Sequence, residues 1–139
     1  DPHIDGFASG RNGLEFSRVY NHAVTVGVFL TPLPQAFAGN FTVWPGSHHT
    51  YERYFRERGP VAMKEPMPTP EIGESVQLRC EVGDAVLSHY ELAHAAAVNT
   101  ADIDRIAVYF RIWFRDAESN EQRWECLTNI WHGWKIKSS

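Results

Sequence analysis

Val24-Thr25-Val26-Gly27-Val28-Phe29-Leu30 is the most regular stretch of this 139-residue chain, with Val24, Val26, Val28 and Leu30 alternating with Thr25, Gly27 and Phe29. Successive side chains leave a pleated backbone on opposite sides, so period two is the pattern of a strand with one buried face. Further runs of strand character lie around it: Phe41 to Trp44, Val76 to Cys80, Ala85 to Ser88 and Ile106 to Phe114. They are divided by the turn signals Gly39-Asn40, Pro45-Gly46-Ser47 and Gly83-Asp84. There is no βαβ rhythm, and many short strands with turns between them predict an antiparallel sandwich or barrel.

Two segments read as helices. Thr50 to Arg58 is stopped by Gly59-Pro60, and its Glu52 and Arg56 are spaced as an i, i+4 pair on a solvated face. Near the end, Ser119 and Gln122 have capping-box spacing, and Trp124, Leu127, Trp131 and Trp134 line up one apolar helical face, expected to pack on the outside of the sheet. The proline-rich stretch Met63 to Pro70 reads as an extended surface loop and a candidate lid. The expected organisation is one domain over 1–139, with the β core at about 3–115 and the helical tail at about 117–139.

Composition narrows the function classes. Apolar residues at 43% and charged residues at 22% are globular values, and a net charge of −4 gives no basic footprint for nucleic acid. Cys80 and Cys126 form at most one bridge and are read as reduced. The apolar runs are too short for a membrane span, and Asp1-Pro2-His3 has neither the basic start nor the apolar stretch of a signal peptide. A cytoplasmic protein with a small-molecule partner is the expectation.

Chemistry enters with the histidines. In His3-Ile4-Asp5 the imidazole and the carboxylate are two apart, so on an extended chain both face one side and one metal ion. Gly83 to His94 reads as a turn feeding a strand that ends at a histidine, followed by Asn99 and by Arg105 at the start of the last long strand. Two neutral nitrogens and one carboxylate oxygen on one face of an octahedral ion leave positions open, as in non-haem Fe(II) oxygenases. The planar fork of Arg105 suits a carboxylate deeper in the same barrel.

These segments, with Gly39-Asn40-Phe41-Thr42-Val43-Trp44-Pro45-Gly46-Ser47-His48, resemble the phytanoyl-CoA dioxygenase family of Fe(II)- and 2-oxoglutarate-dependent oxygenases. The family pattern joins H-x-D, a glycine-led strand ending in P-G-S-H, a G-D-x-x-x-x-H stretch leading to a distal histidine, and an arginine eleven residues beyond it, the spacing of His94 and Arg105. The resemblance implies a double-stranded β-helix, a cupin-like jelly roll that is mainly β with a few peripheral helices. It implies that His3, Asp5 and His94 bind Fe(II), that Arg105 binds the distal carboxylate of 2-oxoglutarate, and that O2 is the oxidant. Halogenating members carry a small residue in place of the carboxylate, so Asp5 implies hydroxylation, with release of succinate and CO2.

His22 and Thr25 are candidates for the cosubstrate end of the barrel, and Asn99 either supports the site or makes a turn. Trp44 and Tyr90 are candidates for the cavity wall, whereas His48, His49 and His89 read as structural. In this family further strands and helices normally precede H-x-D, so the jelly roll is expected to lack the N-terminal part and to expose a sheet edge through which the chain self-associates. Two other readings stay open: an inactive jelly-roll binding module of the same ancestry, and a cupin-like enzyme using another metal through other histidines.

Overall fold

The computed structural model describes residues 1–8, 13–15, 18–113 and 120–134. Along the chain run β1 (Val24–Phe29), β2 (Phe41–Val43), α1 (Ser47–Arg58), a 3-10 turn (Pro60–Lys64), β3 (Val76–Gln77), β4 (Ala85–His89), β5 (His94–Ala96), β6 (Ala107–Ile112) and α2 (Asn120–Thr128). The strands form two antiparallel three-stranded sheets, in the orders β4-β1-β6 and β3-β2-β5. Val26 at the centre of the first sheet lies opposite Leu87 on one side and Phe110 on the other. The two sheets meet through Phe29 of β1, which packs with Leu33, Ala38, Phe41, Val43 and Cys80. This is the mainly β, jelly-roll architecture expected, with its helices at the periphery.

The period of β1 is two, and the buried set is Thr25, Gly27 and Phe29 while the valines are half-buried and Leu30 is exposed. Polar and small residues face inward because this face carries the site and must admit an aromatic ring. A Cβ on Gly27 would come within 2.7 Å of the Tyr109 ring. The outer face of the same sheet is apolar and open, with Leu87 at 73% and Phe110 at 53% exposure.

Several boundaries differ from the sequence expectation. The stretch from Gly83 to His94 is two strands in different sheets, because a turn closed by Leu92 N–H on the His89 carbonyl (3.0 Å) interrupts it, so His94 begins a strand. The Val76 run pairs only through Gln77, and Cys80 makes a separate bridge to Leu33. Helix α1 starts at Ser47, behind Gly46 at φ 82°, because the Ser47 hydroxyl accepts the Ala93 N–H at 2.8 Å and draws the P-G-S turn into the core. Phe114 and the Ser119 cap lie outside the described residues.

The tail packs on α1, where Cys126 and Leu127 join Ile4, Tyr51 and Phe55 in a second core cluster. The tryptophan stripe is not one helical face. Helix α2 ends at Thr128, and Trp131 and Trp134 lie beyond it, exposed, edge to face at 6.0 Å. The turn residues prevail over the apolar spacing: Asn129 accepts the Trp131 N–H through its side chain, and Gly133 takes φ 77°. Both cysteines are free and buried. Among the described residues no helix is long and apolar enough to cross a membrane.

His89 ties β4 to this tail. Its Nδ1 accepts the Glu91 N–H at 3.1 Å, so Nε2 carries the proton and donates to the Ile130 carbonyl at 2.8 Å. A second proton would break the first bond, and burial lowers the pKa to about 4. The unfolded chain therefore takes up the proton first, and stability that is complete above pH 6.5 is lost as pH falls toward 4. Denaturant titrations should show the midpoint falling across that window, with a shallower fall in His89→Gln; an equal slope in that variant would remove His89 as a cause.

Candidate metal centre

Residues 3–5 are laid against β5 by backbone pairing. His3 N–H donates to the His94 carbonyl (3.0 Å), His94 N–H donates to the His3 carbonyl (2.9 Å), and Asp5 N–H reaches the Tyr90 carbonyl (3.3 Å). Immediately afterwards the chain turns away at Gly6, φ 89°, where a Cβ would meet the Tyr20–Asn21 backbone at 2.8 Å. The two imidazole rings stand 4.5 Å apart, and one ligand atom from each of His3, Asp5 and His94 lies within 4.8 Å of the others.

Protonation suits a cation. His94 Nδ1 donates to the Leu92 carbonyl at 2.9 Å, which leaves the Nε2 lone pair facing Asp5 Oδ2 at 4.0 Å. Burial lowers the pKa of both His94 and His3, so both are neutral donors at pH 7. Burial alone would raise the Asp5 carboxyl, but charge at His94, Arg111 and His22 outweighs it and holds it below the usual carboxylate value. Of those three charges, only that of Arg111 is permanent.

Behind Asp5 stands a short relay. Thr25 Oγ1 donates to Asp5 Oδ2 at 3.4 Å and lies 2.6 Å from His22 Nε2. Because the single Thr25 proton is used on Asp5, His22 donates from Nε2, and its Nδ1 is buried without a partner. Burial lowers His22 to about 4, so the ring is neutral. His22 and Thr25 thus contact the carboxylate of the triad.

A cleft of about 810 Å³ opens over His3 and Asp5, walled by Phe7, Met67, Arg111 and Trp113. The proline-rich loop contributes Met67, whose sulfur accepts the Ile4 N–H at 3.4 Å. Arg105 does not line this cleft. Its stem packs on Gly39, where a Cβ would sit 3.1 Å from it, and its guanidinium bonds the Tyr109 hydroxyl. The Arg105 Nε is buried with no partner. Rings connect the two places: Tyr109 lies 5.9 Å from Phe41, and Phe41 lies 5.3 Å from His94.

The other candidates fall elsewhere. Asn99 forms a turn, accepting the Ala101 N–H (3.0 Å) and donating to the Ile103 carbonyl (2.9 Å). Tyr90 is a core residue whose hydroxyl bonds the Cys126 carbonyl, and Trp44 packs against the helix-side cluster. His48 and His49 stack on each other in the first turn of α1, and Glu52 pairs with Arg56 at 2.8 Å as expected. Arg111 is the residue that motif reading missed. It lies opposite Thr25 and 3.4 Å from Asp5 Oδ1, and its signal was the period two running through Arg105, Ala107, Tyr109 and Arg111.

The profile of the family described as Phytanoyl-CoA dioxygenase (PhyH) matches residues 2–107, which include His3, Asp5, His94 and Arg105. The chain belongs to this family of Fe(II)- and 2-oxoglutarate-dependent oxygenases. Similar solved structures include apo HygX from Streptomyces hygroscopicus, at 19% identity and TM-score 0.48, over 88% of this chain and 57% of that one. HygX with nickel, 2-oxoglutarate and hygromycin B bound is 18% identical, at TM-score 0.48 over 88% and 55%. HygX with iron bound is 20% identical, at TM-score 0.47 over 88% and 57%. The chain thus spans a little over half the length of these structures. No curated protein matches it.

If His3, Asp5 and His94 share one ion, calorimetry with Ni(II) should give one site per chain, abolished in Asp5→Ala and His94→Ala. Thr25→Val should weaken it about tenfold, the usual effect of losing a residue that orients a ligand. Protons compete for the imidazoles, so affinity should hold through pH 7 and decline only below 6.5. Unchanged affinity in Asp5→Ala would sink the shared site.

Proposed function

We propose that the chain is an Fe(II)- and 2-oxoglutarate-dependent dioxygenase that hydroxylates a small organic substrate, with release of succinate and CO2. The carrying observation is the convergence of His3, Asp5 and His94, from two distant segments, at the edge of one cleft. The donor set fits: two neutral imidazoles and one carboxylate suit a divalent first-row ion and leave coordination positions free. The cosubstrate fits as well, because the partnerless Arg105 Nε and its neighbouring amino group form the fork that a carboxylate takes bidentately.

When bound, iron, 2-oxoglutarate and O2 supply the oxidising chemistry, and the chain supplies position. His3, Asp5 and His94 hold the ion, and Thr25, backed by His22, keeps the Asp5 oxygen turned toward it. Arg105 orients the cosubstrate from its far end, Tyr109 steadies the guanidinium, and Asn99 shapes the turn that delivers Arg105 to β6. Phe41 and the cleft walls restrict water around the reacting groups. The carboxylate at Asp5 supports hydroxylation, since it fills the place a halide would need.

Anaerobic protein with Fe(II) and 2-oxoglutarate should develop a charge-transfer band toward the red end of the visible spectrum. Arg105→Gln should raise the 2-oxoglutarate concentration needed for it by about tenfold or more, the value of a charge-assisted pair. Folded protein without a band would refute the oxygenase reading. A band without succinate formation in air would favour an inactive binding module.

A second copy of the chain is the proposed macromolecular partner. Leu30 N–H bonds the Ile106 carbonyl at 2.9 Å, so even-numbered residues of β6 pair with β1, and Ala107, Tyr109 and Arg111 turn their backbone groups to an edge that is unpaired among the described residues. Beside that edge lies the apolar row Val108, Phe110 and Ile112. Sedimentation should show a concentration-dependent dimer that Phe110→Lys weakens; a monomer throughout would refute it.

A further inference from the structure

The oxygenase reading leaves one charge in the cleft unused. Among the described residues lining it, Arg111 is the only arginine or lysine, and its side chain is 56% exposed to solvent. Its position is imposed by register: it lies opposite Thr25 on the inward face of β6, at the height of the triad. Its acceptor is Asp5 Oδ1 at 3.4 Å, while Asp5 Oδ2 faces Thr25 and His94.

In a loaded site the ion draws on the charge of the Asp5 carboxylate and weakens its pairing with Arg111. A divalent ion, the Asp5 carboxylate, the dianionic cosubstrate and Arg105 balance to zero with both imidazoles neutral, so the Arg111 guanidinium adds a positive charge beside the ion, with Asp1 the other acidic residue lining the cleft. Phe7, Met67 and Trp113 line the other walls and offer apolar surface. From this juxtaposition, and resting on the function proposed above, we infer that Arg111 anchors an anionic head group of the substrate. The substrate class is therefore an organic anion with an apolar body: Arg111 would hold the charged end, and the body would lie along Phe7, Met67 and Trp113 beside the His3–Asp5–His94 triad.

The test uses paramagnetic relaxation in the full chain, loaded with Mn(II) and saturating 2-oxoglutarate, with hexanoate and hexan-1-ol as probes. Hexanoate protons should be broadened by the loaded protein and hexanol protons much less. Arg111→Gln should reduce the hexanoate effect about tenfold, the usual worth of one charge-assisted contact, and Arg111→Lys should retain most of it. Equal broadening of both probes, or equal hexanoate broadening by wild type and Arg111→Gln, overturns the inference. The second result would mean that the carboxylate binds the ion directly. A parallel Fe(II) sample separates the two levels: with its charge-transfer band present, only the anchor has failed, and without the band the oxygenase reading falls and takes the anchor with it.

Discussion

Two reciprocal backbone hydrogen bonds, between His3 and His94, are the constraint on which the site depends. They join residues 91 positions apart through main-chain groups, so the separation of the two rings is set by a β ladder and not by side-chain packing. Once this pair is made, Asp5 follows on the same side of an extended chain, and Gly6 turns the backbone away before it meets Tyr20 and Asn21. A displacement of one residue along β5 would send one imidazole to the opposite face and dissolve the triad. The rest of the fold protects this register: β2 pairs with β5 from the other side, and Ser47 at the start of α1 accepts the Ala93 N–H just before His94.

Of the buried side-chain polar atoms without a hydrogen-bond partner, two bear on the candidate site, the Arg105 Nε and the His22 Nδ1. A buried donor or acceptor without a partner costs about 1–3 kcal/mol, so folds seldom keep several. The Arg105 Nε lies near the aromatic run that leads from His94, while the His22 Nδ1 lies behind Asp5. On the function proposed above, the first would receive a carboxylate. The second follows from the relay, since His22 must give its one proton to Thr25 for Thr25 to give its own to Asp5.

Strand character and fold class were legible because period two and turn chemistry act locally, as in Val24 to Leu30 and Gly83-Asp84. The buried side of β1 was less legible. Hydrophobicity favours the valines, whereas the inward face carries Thr25 and Gly27 for reasons that appear only when Asp5 and Tyr109 are opposite them. The division of the Gly83 to His94 stretch was hidden for a related reason: Tyr90 and Leu92 suit a strand, and what turns the chain is its passage between two sheets. In the tail, tryptophan spacing was overruled by Asn129 and Gly133, whose backbone preferences end the helix whatever the pattern of apolar residues. Motif order singled out His3, Asp5 and His94, which the fold brings within 4.8 Å of one another, and Arg105, which lies outside the cleft; it did not single out Arg111, because no motif contains it.

β6 shows how one strand accommodates incompatible demands. Its even-numbered residues pair with β1 and send Ile106, Val108, Phe110 and Ile112 outward, while its odd-numbered residues send Tyr109 and Arg111 inward. The contact to Arg105 and the cationic wall of the cleft therefore come from side chains two apart on one face, and the edge comes from the backbone of those same residues. Any contact made along that edge would stiffen the Tyr109–Arg111 backbone and, through it, the placement of both arginines. Such a contact would couple assembly to site order, since the hydrogen-bonding groups that β6 leaves open among the described residues belong to the residues whose side chains face Arg105 and Asp5.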